Sequence, residues 1–341
     1  MSKSRWGMMV GCALMLGAFG GTIPVLAEEK PIELTFSNFF PAPHNNSILA
    51  EEWAKTINER TGGKVKITLF HGGTLTPAAQ VYDSVVKELS DIGMSVASYT
   101  RGRFPLSEII ELPLGYKSGY AATQVANAFL NKFQPKEFAD TEVMFLHAHG
   151  PGVLHTKKPV TSLADLKGLK ISCTGLSAKI ADKLGAVPVA APMPERYDSI
   201  SKGVSDGGLF PVEALKGWKL GEVVQNTTLN YGSAYTTTFF IVMNKGKWAS
   251  LSPDIQKVFR EVNIEFIEKF GKGWDQIDKE GADFGATQGV KTLTLTPEED
   301  AKWVAAVQPI LDEYVTNMKK KGLPGEDAMK FVKEELDKLQ K

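Results

Sequence analysis

Five histidines, His44, His71, His147, His149 and His155, are the first residues to weigh for chemistry. His147-Ala148-His149 would set two imidazoles on one face of a strand, a start toward a metal site. A zinc-type centre needs at least a third ligand, and the sequence nominates none nearby, so no metal is expected. The pair is read as pocket-lining or as a hydrogen-bonded interior feature. There is no Walker loop, H-E-x-x-H, G-x-S-x-G or C-x-x-C, hence no cofactor is expected and no enzyme activity. Arg101-Gly102-Arg103 has two readings. One is a solvated loop; the other is an anion contact at a cleft mouth, since guanidinium grips carboxylate or sulfonate in a fork. Gly150-Pro151-Gly152 is a turn without the following helix that a phosphate loop requires. Asn45-Asn46-Ser47 and Asn226-Thr227-Thr228 match the glycosylation acceptor pattern, which matters only in a eukaryotic secretory pathway.

The elements that must position these residues belong to a globular chain. Its 341 residues carry 39 basic and 39 acidic side chains, 43% of residues being apolar. Balanced charge leaves no electrostatic footprint for nucleic acid, and the length calls for two domains. Residues 1–27 read as a secretory signal peptide: Lys3 and Arg5 precede the apolar stretch Trp6 to Phe19, and Val25-Leu26-Ala27 offers a cleavage site before Glu28-Glu29. Cleavage would leave 314 residues of net charge −2 with Cys173 as the one cysteine, so no internal disulfide is expected in an oxidising compartment.

Beyond the leader, strands and helices alternate. Ile32 to Ser37 is a strand, and a helix from about Ser47 aligns Leu49, Trp53 and Ile57 before Gly62-Gly63 stops it. Lys64 to Phe70 alternates strictly, as in a half-buried strand. Thr76-Pro77 reads as an N-cap with proline at N1, opening a helix through Leu89. Such βαβ order implies a mainly parallel sheet covered by helices. A partial repeat stands out: Tyr82–Gly93 and Tyr197–Gly208 agree at seven of twelve positions. Each copy is a helix ending at Ser-Asp before a short strand. Two similarly wired α/β lobes would place a ligand beyond the carboxyl ends of their strands, in the cleft between them. Ser252-Pro253 opens a helix running to about Phe284, long enough to span two domains. Val290 to Leu295 reads as a strand, Thr296-Pro297-Glu298-Glu299 as a capping box, and a last helix runs from Glu326 to Leu339.

The whole chain beyond the leader also resembles a known family, the DctP-type periplasmic solute-binding proteins of TRAP transporters. The likeness rests on Gly63-Lys64-Val65-Lys66-Ile67 with Gly72-Gly73-Thr74-Leu75, on Ser162 to Ile171, on Leu184-Gly185-Ala186-Val187-Pro188-Val189 and on the second repeat copy through Asp206-Gly207. Asn244, Trp248, Leu251 and Gln256 match the approach to the long helix. The resemblance implies a two-lobed, Venus-flytrap α/β fold with crossing hinge strands and a long domain-spanning helix. By analogy, lobe I is 28–152 plus 239–275 and lobe II is 153–238 plus 276–341. It implies capture of a small organic solute, an organic acid and possibly an aromatic or sulfonated one, for delivery to a membrane permease. The expected setting is the periplasm and the expected state a monomer, with no nucleic acid as partner. A ligand-sensing subunit of a signalling receptor is the alternative from another class.

One position departs from the family pattern. Members usually carry an arginine two residues after the lysine of Lys-Gly-Leu-Lys, where it grips the ligand carboxylate; here that position is Ser172. Serine supplies neither the charge nor the fork. Either the ligand is an amine or neutral solute, or another base has taken over, with Arg101, Arg103 and His149 as candidates. Further pocket positions fall, by order along the motifs, near Phe39, Ser95, Tyr99, Met193, Phe210 and Thr236. Together they make a wall that suits a flat or apolar body, or a cation against ring faces. Glu213 and Trp218 lie just beyond, and Glu213 is read as a surface or interdomain carboxyl that could hold an amine.

Overall fold

A computed structural model describes residues 30–341; the leader expected at 1–27 lies outside them. Among the described residues no helix is long and apolar enough to cross a membrane. The first elements are β1 (Ile32–Asn38), α1 (Asn45–Arg60), β2 (Val65–Phe70), α2 (Val81–Val86) and β3 (Ile92–Val96). Helix α1 begins two residues before the expected Ser47 because His44 caps it, Nδ1 accepting the Asn46 N–H. The helix expected at 76–89 is shorter than its sequence signals suggest. Pro77 is extended, a 3-10 turn covers Ala78–Gln80, and the α-helix spans only 81–86. Thr76 caps nothing: its buried hydroxyl bonds the Ser37 hydroxyl at 2.6 Å, a tertiary contact that overrides the local cap signal.

The chain continues through α3 (Gly119–Phe133), β4 (Thr141–Ala148), β5 (Gly152–Thr156), α4 (Leu163–Leu166), β6 (Lys170–Cys173), α5 (Ser177–Lys183) and β7 (Val187–Ala190). Then come α6 (Met193–Ser201), β8 (Gly207–Pro211), α7 (Ala214–Gly217), β9 (Asn226–Leu229), β10 (Thr238–Asn244), α8 (Lys245–Ser250), α9 (Pro253–Thr287), β11 (Lys291–Thr294), α10 (Pro297–Lys320) and α11 (Gly325–Leu339). One sheet has the order β2-β1-β3-β10-β4 and the other β11-β9-β5-β8-β6-β7. Reading the second in reverse from β7, the two share one wiring through five strands: two parallel pairings followed by two antiparallel ones.

The internal repeat marks that wiring. Asp91 accepts the backbone N–H of Thr35 in β1 at 2.8 Å, and Asp206 accepts that of Lys170 in β6 at 2.9 Å. The carbonyls of Asp91 and Asp206 accept from Asn244, which ends β10, and from Lys157, which directly follows β5. Each Ser-Asp pair thus ties its strand to both flanking strands, which explains why the same residues recur.

Two segments cross between the sheets. β4 leads through His149-Gly150-Pro151 into β5, and β9 leads back into β10. They touch where Gly152 donates its N–H to the Tyr235 carbonyl at 2.7 Å. A side chain at 152 would collide with the Tyr235 ring, so glycine is required at this crossing.

Helix α9 is the strut expected from its sequence. Ser252 caps it, accepting the Ile255 N–H, with Pro253 in the first turn. Phe259, Val262, Phe266, Phe270 and Trp274 recur every three or four residues and are fully buried, the stripe an amphipathic helix needs. It packs on α1, α3 and β4 beside the first sheet and on α7 beside the second. Helix α10, capped by Thr296, packs on α4 and α5. The last helix, α11, returns to α3 of the first half, with Phe331 edge-on to Phe133.

Candidate functional site

The carboxyl ends of β1, β3, β6 and β8 converge where the crossing segments meet, and a cavity lies there. One half supplies Phe39 and Phe40 after β1 and Val96 and Tyr99 at the end of β3. The other supplies Thr174, Phe210, Pro211 and the first turns of α5 and α6, with Ser177, Met193 and Arg196. The crossing segments add His149, Tyr235, Thr237 and Phe239.

Aromatic rings dominate the wall. Phe39 stacks on Trp218 at 6.0 Å between centroids and on Phe239 at 6.3 Å. Phe210 stacks flat on His155 at 4.1 Å, the ring being held because His155 Nε2 donates to the Phe210 carbonyl. Free space inside is about 30 Å³, room for about one or two waters. The halves are therefore shut on one another, and an organic solute enters only when they part.

Several contacts hold them shut. The Met193 N–H donates to the Tyr99 hydroxyl at 2.9 Å. Glu111, whose carboxyl accepts the Thr238 N–H at 3.1 Å, lies under Gly175, which seats on Ser98. His44 and Glu213, both buried, meet at 3.1 Å. Asp278 of α9 accepts the Glu213 N–H at 2.8 Å.

The electrostatic centre is Arg196, only 3% exposed. Its guanidinium donates from Nε to the Ala191 carbonyl at 3.3 Å, from Nη1 to the Leu209 carbonyl at 2.6 Å and from Nη2 to the Thr174 hydroxyl at 2.7 Å. All three acceptors are neutral, and among the described residues no carboxylate pairs with it within 4.0 Å. Two of its five N–H groups remain for a ligand. An unpaired buried charge is unfavourable by several kcal/mol, and an anion placed there would offset it. Burial drives the neighbouring His149 down to about 4 and Tyr99 up to about 12. Both are therefore uncharged near neutrality. His149 Nδ1 donates to the Gly150 carbonyl, leaving Nε2 as an acceptor.

Of the positions nominated from sequence, Phe39, Tyr99, His149, Met193 and Phe210 come together on this wall. Three do not. Arg103 lies away from it, paired with Asp140 at 2.5 Å and covering the Tyr82 ring. Ser172 is buried inside the second sheet with its hydroxyl unpartnered. Thr236 is turned away, donating to the His149 carbonyl at 2.6 Å, and its neighbour Thr237 lines the cavity instead. Ser95 is likewise buried outside the wall, bonding the Ala78 carbonyl.

Of the candidate replacement bases, Arg101 sits at the exposed rim of a second cavity of about 290 Å³ that also contains Glu111 and Lys179. Held far below neutrality, His149 supplies no charge. Arg196 is the residue that sequence reasoning passed over. Its one signal was position: it stands four residues before the buried Ile200 on α6, hence on that helix's inward face. Glu213, read as a surface or interdomain carboxyl, is buried on the wall beside Trp218. Among the described residues no cluster of His, Cys, Asp and Glu could hold a metal ion.

Comparison with known proteins places this geometry. The family model for DctP, bacterial extracellular solute-binding protein family 7, matches residues 36–317. A marine metagenome TRAP solute-binding protein specific for aromatic acid ligands, solved with metahydroxyphenylacetate, is 30% identical, with a TM-score of 0.86 over 91% of this chain and 100% of that one. A TRAP solute-binding protein from Rhodoferax ferrireducens, solved with copurified benzoate, is 27% identical, with a TM-score of 0.85 over 90% of this chain and 98% of that one. The C4-dicarboxylate-binding periplasmic protein DctP of Vibrio cholerae is 23% identical over 278 residues, 80% of this chain and 82% of its own.

Proposed function

Because the chain belongs to the DctP family of bacterial extracellular solute-binding proteins, we propose that it captures an aromatic monocarboxylate between its two halves and hands it to a TRAP permease. The buried, unpaired guanidinium of Arg196 is the observation that carries the reading. It stands in for the arginine that most members carry where this chain has Ser172, and with Thr174 it would hold the carboxylate. Phe39, Phe210 and Phe239 would flank the ring, as ring faces and edges favour. The relatives solved with metahydroxyphenylacetate and benzoate support an aromatic body. An uncompensated cation argues against an amine as the primary ligand.

Ligand and both halves must touch for closure to follow, since only differential contacts shift an open–closed equilibrium. The permease would then read the closed form. Export by cleavage after residue 27, the periplasm as the working compartment and a monomeric state complete the proposal. Titration of the ligand-stripped protein with benzoate, 3-hydroxybenzoate, mandelate and succinate tests it. Aromatic acids should bind most tightly, without turnover, and Arg196→Gln should abolish their binding. Tight binding of succinate alone, or aromatic acids binding equally well to Arg196→Gln, would overturn it.

A further inference from the structure

Resting on that reading, we infer that Glu213 selects among aromatic acids, favouring those that carry a hydrogen-bond donor, a hydroxyl or an amino group, on the ring. Glu213 is held from three directions. His44 Nδ1 accepts the Asn46 N–H, so the hydrogen is on Nε2, which donates to Glu213 Oε2 at 3.1 Å. The Glu213 N–H is taken by Asp278 Oδ1. On the third side stands Gly217, where a Cβ would come within 2.5 Å of Glu213 Oε2 and 2.9 Å of His44 Nε2. The carboxyl is thus packed into one pose, and its side chain is 2% exposed.

Only one of its oxygens is used. Among the described residues Oε1 receives no hydrogen bond, although Glu213 lines the cavity. A ligand group able to donate would give that oxygen a partner. Arg196 and Glu213 line the same cavity. Arg196 bonds the Leu209 carbonyl, and Glu213 follows four residues later, at most about 13 Å along extended chain. The cavity therefore offers guanidinium donors for an anion and, separately, a carboxyl lone pair without a hydrogen. A second carboxylate on the ligand would meet that lone pair and be rejected, which separates this site from one built for dicarboxylates.

The test is calorimetric titration of the ligand-stripped protein with benzoate, 3- and 4-hydroxybenzoate, 3-aminobenzoate and isophthalate. At least one hydroxy- or aminobenzoate should bind roughly ten- to hundredfold more tightly than benzoate, the range of one hydrogen bond to a charged or strongly polar group, and isophthalate should bind worst. Glu213→Gln should collapse the hydroxy-to-bare ratio to within about threefold and raise isophthalate relative to the others, because the amide presents hydrogens. Benzoate and its hydroxylated forms binding alike, or the preference surviving in Glu213→Gln, would overturn the inference while leaving the aromatic-acid reading intact. Failure of every aryl acid to bind would remove both. The wild-type comparison stands by itself should the variant not fold.

Discussion

The Tyr99 hydroxyl accepts the backbone N–H of Met193 at 2.9 Å, joining the end of β3 in one half to the first turn of α6 in the other. Both residues also line the cavity, so the bond joins the two halves at the cavity wall. Tyr99→Phe removes the acceptor without altering the ring. One neutral hydrogen bond is worth about 1 kcal/mol, so ligand affinity should fall roughly fivefold. Small-angle scattering should show a larger fraction of open molecules at subsaturating ligand. Unchanged affinity would mean that the bond contributes nothing to closure.

Arg196→Gln should dissociate two properties that usually move together. Binding of carboxylates should be lost. Stability of the empty protein should stay within about 1 kcal/mol of wild type, because losing the three hydrogen bonds is offset by removing a buried unpaired charge. Thermal melts with and without ligand measure both. A drop of several kcal/mol in the empty protein would show that the guanidinium is structural.

Stability should be greatest across a plateau on the acid side of neutrality. Burial pushes the Glu111 carboxyl up to about 8 from 4.5, and Asp278 up to about 8 from 3.8. A raised acid pKa favours folding below the unfolded value, and that contribution drains away as pH climbs to about 8. Burial holds His149 at about 4 and His155 at about 3, against 6.5 unfolded. Their contribution is complete above 6.5 and is lost as pH falls toward 4 and 3. The two slopes oppose each other between about 4.5 and 6.5. Denaturant melts from pH 4 to 9 should show that plateau. Glu111→Gln, which keeps an acceptor for Thr238, should lessen the alkaline decline; an unchanged decline would exclude Glu111 as its source.

Gly217→Ala adds a methyl between Glu213 and His44, where the room is 2.5–2.9 Å. Overpacking of this kind costs about 1–3 kcal/mol. Here it should fall mainly on the closed state, weakening ligand binding more than it lowers the melting temperature of the empty form. Equal losses in both would place the strain in each half separately.

Asp91→Ala and Asp206→Ala should destabilise the protein by similar amounts, about 1–3 kcal/mol each, since each leaves a strand N–H without its acceptor. Chemical denaturation of the two variants checks this. A large inequality would show that the repeat is alike in sequence but not in load.

Periodicity determined much of what is described. The alternation in β2, the amphipathic stripe of α9 and the repeated Ser-Asp before β3 and β8 are local patterns, so the sequence alone predicts two similarly wired α/β halves with a strut. The apolar wall residues Phe39, Tyr99, Met193 and Phe210 were also legible, through the resemblance to the family and the order of its motifs. What tertiary structure decided was direction and pairing. On the segment leading into β10, a one-residue step separates Thr236, turned to His149, from Thr237, turned to the cavity, and side chains on extended chain alternate sides. Thr76 reads as a cap until Ser37 arrives from another strand. Ser172 leaves one strand without the family's cation, and the buried guanidinium of Arg196 stands on a helix three elements later. Its partner oxygens, on Ala191, Leu209 and Thr174, are drawn from three separate segments. A charge is placed by whatever surrounds it in space, and linear order carries no record of that.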